Sequence, residues 1–216
     1  MIVFELIRQL DSSLFLFINS HFSPFFDNFM FAVSNKLVWI PLYASVLYVL
    51  IRFWKKDALW LAIALILCIV ICDQVASGVF KNLVHRLRPS HAQHLKGMVH
   101  LVRNYSAGKY GFASSHASNA FGFATLSALI LHRKLYSYFI FGWASMTAYS
   151  RIYLGLHYPL DIVGGIIIGV LAAVLCFWML EKLKPEIFET NVTDTKVPIY
   201  VLLISLACML VYGFCC

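Results

Sequence analysis

The chain has 216 residues, of which 61% are hydrophobic and 12% charged, and its formal net charge is +7. A soluble domain runs near roughly 45–50% apolar and 25% charged. An excess of this size cannot be buried in one water-soluble core, so the composition excludes an ordinary soluble enzyme and predicts an all-α, polytopic membrane protein. The positive balance points to lipid head groups or phosphates as partners, and no long Lys/Arg run supports nucleic-acid binding.

In chain order, residues 1–37 form an N-terminal interfacial or re-entrant segment. Ile2 to Leu10 carries apolar residues at helical spacing around Glu5 and Arg8, the pattern of a helix lying in the interface. Asp11 and Asn19 interrupt the first apolar stretch and no small-residue cleavage site follows, which argues against a cleavable signal peptide. Residues 12–33 are aromatic-rich but broken by His21, Pro24 and Asp27, as in an interfacial hairpin or a poor first span.

Residues 38–214 read as a transmembrane domain of about six spans. The first, 38–54, is anchored by Trp39 and Trp54 and closed by a charged turn with Arg52, Lys55, Lys56 and Asp57. The second, 58–80, is about the ~20 residues needed to cross. It carries Asp73 and Gln74, read as a helix-to-helix hydrogen bond in preference to a site. A long polar connection, 81–113, follows. The third span is 114–131, closed by His132, Arg133 and Lys134, and the fourth is 135–149. In the fifth, 162–180, Gly164, Gly165 and Gly169 permit close helix packing. A polar linker, 181–196, leads to the sixth, 197–214. The six cysteines, Cys68, Cys72, Cys176, Cys208, Cys215 and Cys216, lie in or beside these spans without zinc-ligand spacing. They read mostly as small buried hydrophobes, and the terminal Cys215–Cys216 pair fits no prenylation box.

Counting crossings puts the 81–113 loop, the start of the third span and the 150–161 turn on one membrane face. The 52–57 turn, residues 132–134 and the 181–196 linker fall on the other. The positive-inside rule assigns the second face to the cytoplasm, provided that the cations of the first face are set aside as substrate ligands.

Three motifs share that first face. The first is Lys81-x6-Arg88-Pro89. Seven residues are two helical turns, so both cations can project to one side and clamp a phosphate, with Pro89 helping to end the helix. An ordinary basic flank would look the same. The second is Phe112-Ala113-Ser114-Ser115-His116-Ala117. Ser114 is placed as a helix N-cap, the next backbone N–H groups form an anion site, and His116 can donate a proton to a leaving oxygen. A simple cap beside an interfacial histidine is the plain alternative. The third is Arg151-x5-His157-x3-Asp161. His157 and Asp161 would share a helical face, and a carboxylate beside an imidazole suits a histidine that attacks or transfers protons. A satisfied polar cluster at a helix end is the competing reading.

Together the three motifs resemble the phosphatidic acid phosphatase type 2 family, which shares its core with vanadium haloperoxidases and bacterial class A acid phosphatases. Its signature is K-x6-RP, PSGH and SR-x5-H-x3-D. The resemblance spans residues 58–180, and the first and third parts match at every signature position. The second departs from it: Ala113 replaces proline and Ser115 replaces glycine. Serine still offers a backbone N–H, while loss of proline leaves the loop less rigid.

The resemblance implies that His157 attacks phosphorus to form a phosphohistidine, that Asp161 orients His157, and that His116 protonates the leaving lipid oxygen and then helps activate water. It implies that Lys81, Arg88, Ser114, Ser115 and Arg151 hold the phosphoryl oxygens, with neither metal nor other cofactor. Such a division of labour suits phosphoryl transfer, which needs positioning and charge neutralisation. A metallohydrolase built on His85, His91, His94 and His100 is disfavoured, because carboxylates are sparse there and the spacing fits no zinc pattern. The expected enzyme is a bacterial inner-membrane lipid phosphatase facing the periplasm or exterior. Expected substrates are undecaprenyl diphosphate or lipid A before phosphatidate or phosphatidylglycerol phosphate. Tyr105, Tyr110 and the glycines of residues 91–112 suit a mobile cover, and Arg103 and Lys109 could read a second phosphate. An inactive lipid-phosphate binder and a transporter stand as alternatives. The residues leave the oligomeric state open.

Overall fold

A computed structural model describes residues 2–105 and 107–215, apart from the side chains of Ile2 and Phe4; Cys216 of the terminal pair lies outside the described residues. Among the described residues the chain is almost wholly helical. The long elements are α1 (Ile2–Asn19), α2 (Pro24–Ser34), α3 (Ile40–Trp54) and α4 (Ala58–Asp73). After a short α5 (Lys81–Val84) come α6 (Ser115–Leu131), α7 (Lys134–Tyr153), α8 (Pro159–Leu183) and α9 (Lys196–Cys215).

Among the described residues three helical runs are long and apolar enough to cross a membrane: Lys36–Val84, Pro159–Leu183 and Lys196–Cys215. The first contains α3 and α4, which the chain joins through Lys55 at a φ of +51°. Their outer faces keep large apolar side chains such as Ile51, Ile66, Leu171 and Ile204 at the surface, the expected state where the solvent is hydrocarbon. The protein is an integral membrane protein; six crossings remain the reading proposed from the sequence.

Helix α6 lies at the centre, packed on α4, α7 and α8. The glycines of α8 set its closest approach. A Cβ on Gly165 would stand 2.5 Å from the Ser114 carbonyl, and one on Gly169 would collide with the Ser118 carbonyl. Backbone therefore meets backbone, and the start of α6 is drawn against the start of α8. Above this seam Trp39, Tyr43, Phe123 and Trp143 pack edge to face at 4.9–6.0 Å. Asp73 and Gln74 open a wide π turn that carries α4 on to Lys81; the Asp73 charge reaches Lys81, and no helix-to-helix hydrogen bond is formed by Asp73 among the described residues.

The N-terminal segment is two helices, α1 and α2, joined by a short turn. Ser23 accepts from the Phe26 N–H at 3.3 Å to start α2. Helix α1 packs on α7 and α8, and α2 on α7 and α9. The buried face of α1 carries Asp11, Phe15 and Asn19, and its outer face shows Leu6, Leu10, Leu14 and Phe17. At the far end of the bundle the Trp54 indole donates to the Ile187 carbonyl at 2.7 Å, joining the 52–57 turn to the linker before α9.

Candidate active site

Three helix ends converge. Ser114 caps α6, its Oγ accepting from the Ala117 N–H at 3.5 Å, and its own N–H donates to the Asp161 carbonyl at 3.0 Å. The N–H groups at the start of α6 make a positive helix end. Ser115 and His116 occupy its first turn. Arg151 sits in the last turn of α7, buried, with Nη1 donating to the Ser34 hydroxyl of α2. Its Nε is buried with no partner among the described residues.

The 154–158 turn then delivers His157. Gly155 takes a φ of +78°, and a Cβ there would lie 2.7 Å from the His100 carbonyl, so glycine suits the turn on both counts. The N–H groups of Leu156 and His157 both donate to the Arg151 carbonyl, at 3.1 and 3.2 Å. His157 is 1% exposed. Its Nδ1 lies 3.3 Å from Asp161 Oδ2 and its Nε2 lies 3.0 Å from Arg88 Nη1.

Two expectations about spacing need correcting. His157 precedes the Tyr158 N-cap of α8, so it shares no helical face with Asp161. Asp161 is the third residue of α8 and turns its carboxylate back onto the Tyr158 N–H at 3.0 Å, and this capping arrangement brings Oδ2 to His157. Likewise Lys81 and Arg88 are not two turns apart on one helix. The helix ends at Val84, with His85 left-handed at φ +50°, and residues 86–88 run extended beside 109–111, the Arg88 N–H donating to the Lys109 carbonyl at 3.1 Å. Arg88 is then fixed by donating from Nε to the Tyr110 carbonyl (3.1 Å) and from Nη1 to the Leu156 carbonyl (3.0 Å). Lys81 donates to Ser77 Oγ at 3.1 Å, within range of the Arg88 and Arg151 charges.

Burial, together with the charges of Arg88, Arg151 and Lys81, pushes the His157 imidazole well below its ordinary 6.5. The ring is therefore neutral at pH 7 and keeps a lone pair. His116 lies within electrostatic reach of His157, Arg88 and Arg151. A cavity of about 400 Å³ opens beside them, lined by His116, Arg151, Ser34, Lys36 and Tyr105.

All eight residues singled out from the sequence thus fall at one end of the bundle. Sequence reasoning missed Lys36, which lines the cavity, and Arg86, whose Nη1 donates to Asp161 Oδ1 at 3.0 Å. Arg86 lies inside the x6 stretch of the first motif, where its charge was the only signal. Among the described residues no three His, Cys, Asp or Glu side chains gather as a metal centre. The loop histidines do other work: His100 stacks on Phe22 at 3.7 Å and bonds Asp27 at 2.9 Å, and His85 packs edge-on against Tyr110.

A family profile described as the PAP2 superfamily matches residues 57–185. The chain is 37% identical to a lipid A 4'-phosphatase of Bacteroides thetaiotaomicron over 97% of each chain. It is 35% identical to one of Porphyromonas gingivalis, over 77% of this chain and 71% of that protein. Among solved structures, it resembles Aquifex aeolicus LpxE with a TM-score of 0.60 and 26% identity, covering 78% of this chain and 95% of that one. It also shares the fold of a PAP2-type phosphatidylglycerolphosphate phosphatase from Bacillus subtilis, with a TM-score of 0.63 and 20% identity over 83% and 88% of the two chains.

Proposed function

The chain belongs to the PAP2 superfamily and is a membrane lipid phosphatase; from that premise we propose that it removes the 4'-phosphate of lipid A through a phosphohistidine at His157, on the periplasmic face of the inner membrane. The observation that carries the choice of substrate is the 37% identity to a Bacteroides thetaiotaomicron lipid A 4'-phosphatase over 97% of both chains.

The chemistry proposed follows from the arrangement of the site. Asp161 accepts a hydrogen bond from the His157 Nδ1–H, which keeps the lone pair on Nε2, and the incoming phosphate draws Arg88 from Nε2 so that the lone pair meets phosphorus. The P–N bond forms as the P–O bond to the sugar breaks, and His116 gives its proton to the departing oxygen. Water then attacks phosphorus, His116 takes its proton, and inorganic phosphate leaves with His157 restored. Arg88, Arg151, Lys81 and the N–H groups of Ser115 and His116 neutralise the equatorial oxygens throughout. Ser114 caps α6 by accepting the Ala117 N–H at Oγ, and its hydroxyl hydrogen is left to donate to a phosphoryl oxygen.

An apolar groove of about 650 Å³ between α2, α3 and α9 shares Phe31 and Asn35 with the cavity at His116. It offers an acyl chain a path from the bilayer to the phosphate site. A second reading, polyprenyl diphosphate hydrolysis, draws on 28% identity to the undecaprenyl-diphosphatase BcrC of Bacillus subtilis over 71% of this chain. Phosphate release by purified protein from lipid A, undecaprenyl diphosphate, phosphatidate and phosphatidylglycerol phosphate, with EDTA present, separates the two. Lipid A should be preferred and should lose only its 4'-phosphate. Preference for the diphosphate would overturn the substrate assignment.

A further inference from the structure

Asp161 is wholly buried, and a buried carboxylate holds its charge and its direction only if its surroundings supply donors. Oδ2 serves the Tyr158 N–H and His157. Oδ1 faces Arg86 Nη1 at 3.0 Å. The other arm of that guanidinium, Nη2, reaches Asp11 Oδ2 of α1 at 2.5 Å, and its plane lies 4.1 Å over the Tyr158 ring. Asp11 Oδ1 in turn accepts the Leu160 N–H, in the first turn of α8, at 2.9 Å. Asp11 is 5% exposed although it lies in the interfacial helix. One planar cation thus bridges two buried carboxylates, and the far carboxylate holds the helix that carries the near one.

We propose that Arg86 and Asp11 are a positioning pair that couples the interfacial helix α1 to Asp161 and, through it, fixes the direction of the His157 ring; this rests on the phosphohistidine reading above. Arg86 does not face the substrate cavity lined by His116 and Arg151. It lines a separate cavity with Ile7, Arg8, Val84, Phe112 and Leu160, and neither His157 nor His116 is among the residues that line it. A group placed there acts on the nucleophile and not on substrate affinity. The fixed fork of an arginine meets this need, because it can hold both carboxylates in one plane, and lysine cannot. The pair gives α1 a task beyond lying in the interface: an apolar outer face seats it in the bilayer while its buried carboxylate reaches the catalytic cluster.

The test is steady-state kinetics of full-length protein in micelles on the lipid phosphate that it turns over best. Variants are Arg86→Gln, Arg86→Lys, Asp11→Asn and the Arg86→Gln/Asp11→Asn double, with His157→Ala and Arg8→Gln beside them. Arg86→Gln should lower kcat by up to roughly 100-fold, the scale of misplacing a reacting group by about 1 Å, with KM within about twofold. Asp11→Asn should lower kcat in the same direction and add little in the Arg86→Gln background, since coupled residues are not additive. Arg86→Lys should recover only part of the loss, and Arg8→Gln should leave kcat near wild type. Thermal melting separates these effects from unfolding, and Asp11→Asn carries the test if Arg86→Gln does not fold. A raised KM with kcat unchanged, fully additive losses, or kcat near wild type in both single variants would overturn the proposal. Retention of activity by His157→Ala would instead overturn the phosphohistidine reading on which it stands.

Discussion

Replacing Asp161 by asparagine keeps the shape of the side chain and removes its charge, and the consequence can be worked out from its three partners. With the amide nitrogen at the Oδ2 position, it faces the Tyr158 N–H, now 3.0 Å from an acceptor. With the nitrogen at the Oδ1 position, it faces Arg86 Nη1, also at 3.0 Å. Either rotamer opposes donor to donor in a fully buried place, so at least one donor loses its partner at a cost of about 1–3 kcal/mol. The lost anion also stops orienting and stabilising the imidazole, a contribution of about 10²–10⁴ in rate for acid–base groups, or about 3–5 kcal/mol in the barrier. The Asp161→Asn protein should therefore insert and melt a few degrees below wild type while its kcat on lipid phosphate falls by at least about 100-fold. Thermal unfolding in detergent and phosphate release measure the two effects on one sample. A kcat within about threefold of wild type would refute the reasoning, because no other buried anion contacts His157 among the described residues.

Gly165→Ala sets a methyl group 2.5 Å from the Ser114 carbonyl and 2.9 Å from the Ala117 Cβ; it should destabilise the protein by about 1–3 kcal/mol and lower activity by parting α6 from α8. A melting temperature equal to wild type would contradict that packing. Asn19→Ala removes one buried bond, from Nδ2 to the Tyr153 carbonyl (2.7 Å), and two part-buried ones, from Nδ2 to the His100 carbonyl (3.0 Å) and from the His100 N–H to Oδ1 (2.8 Å); thermal melting should show a loss of about 1–3 kcal/mol. For pH, attack needs neutral His157, whose protonation is held below the ordinary 6.5 by burial and by Arg88, Arg151 and Lys81. As pH falls the ring therefore stays neutral past 6.5, and the acid limb of kcat/KM, which reports the free enzyme, should lie below that value. A limb above pH 6.5 assigned to His157 by its loss in a variant would contradict the electrostatics.

Most of the architecture was legible because membrane solvation writes a coarse signal: long apolar runs, glycines at 165 and 169 where helices touch, and Ser114 ahead of α6. The candidate site residues stood out through their motif spacing, and the fold brings them to one end of the bundle. The local geometry behind that spacing was not legible. His157 and Asp161 meet through a helix-capping carboxylate in place of a shared face, and Lys81 and Arg88 stand on either side of a helix end that left-handed His85 imposes. The contribution of the N-terminal helices was hidden for a further reason. Asp11 and Asn19 read as interruptions of an apolar stretch, yet each is buried against a partner 75 or more residues away, and such pairings leave no trace in local sequence.

The most direct measurement traps the covalent intermediate. His116→Ala protein, mixed with an aryl phosphate whose leaving group needs no protonation, should release one equivalent of phenolate in a burst and then stall, with the phosphoryl group found on the peptide that contains His157. A burst with the label at His157 is the predicted result. Linear release with no label on that peptide, or a label that persists in His157→Ala, would contradict nucleophilic attack by this residue.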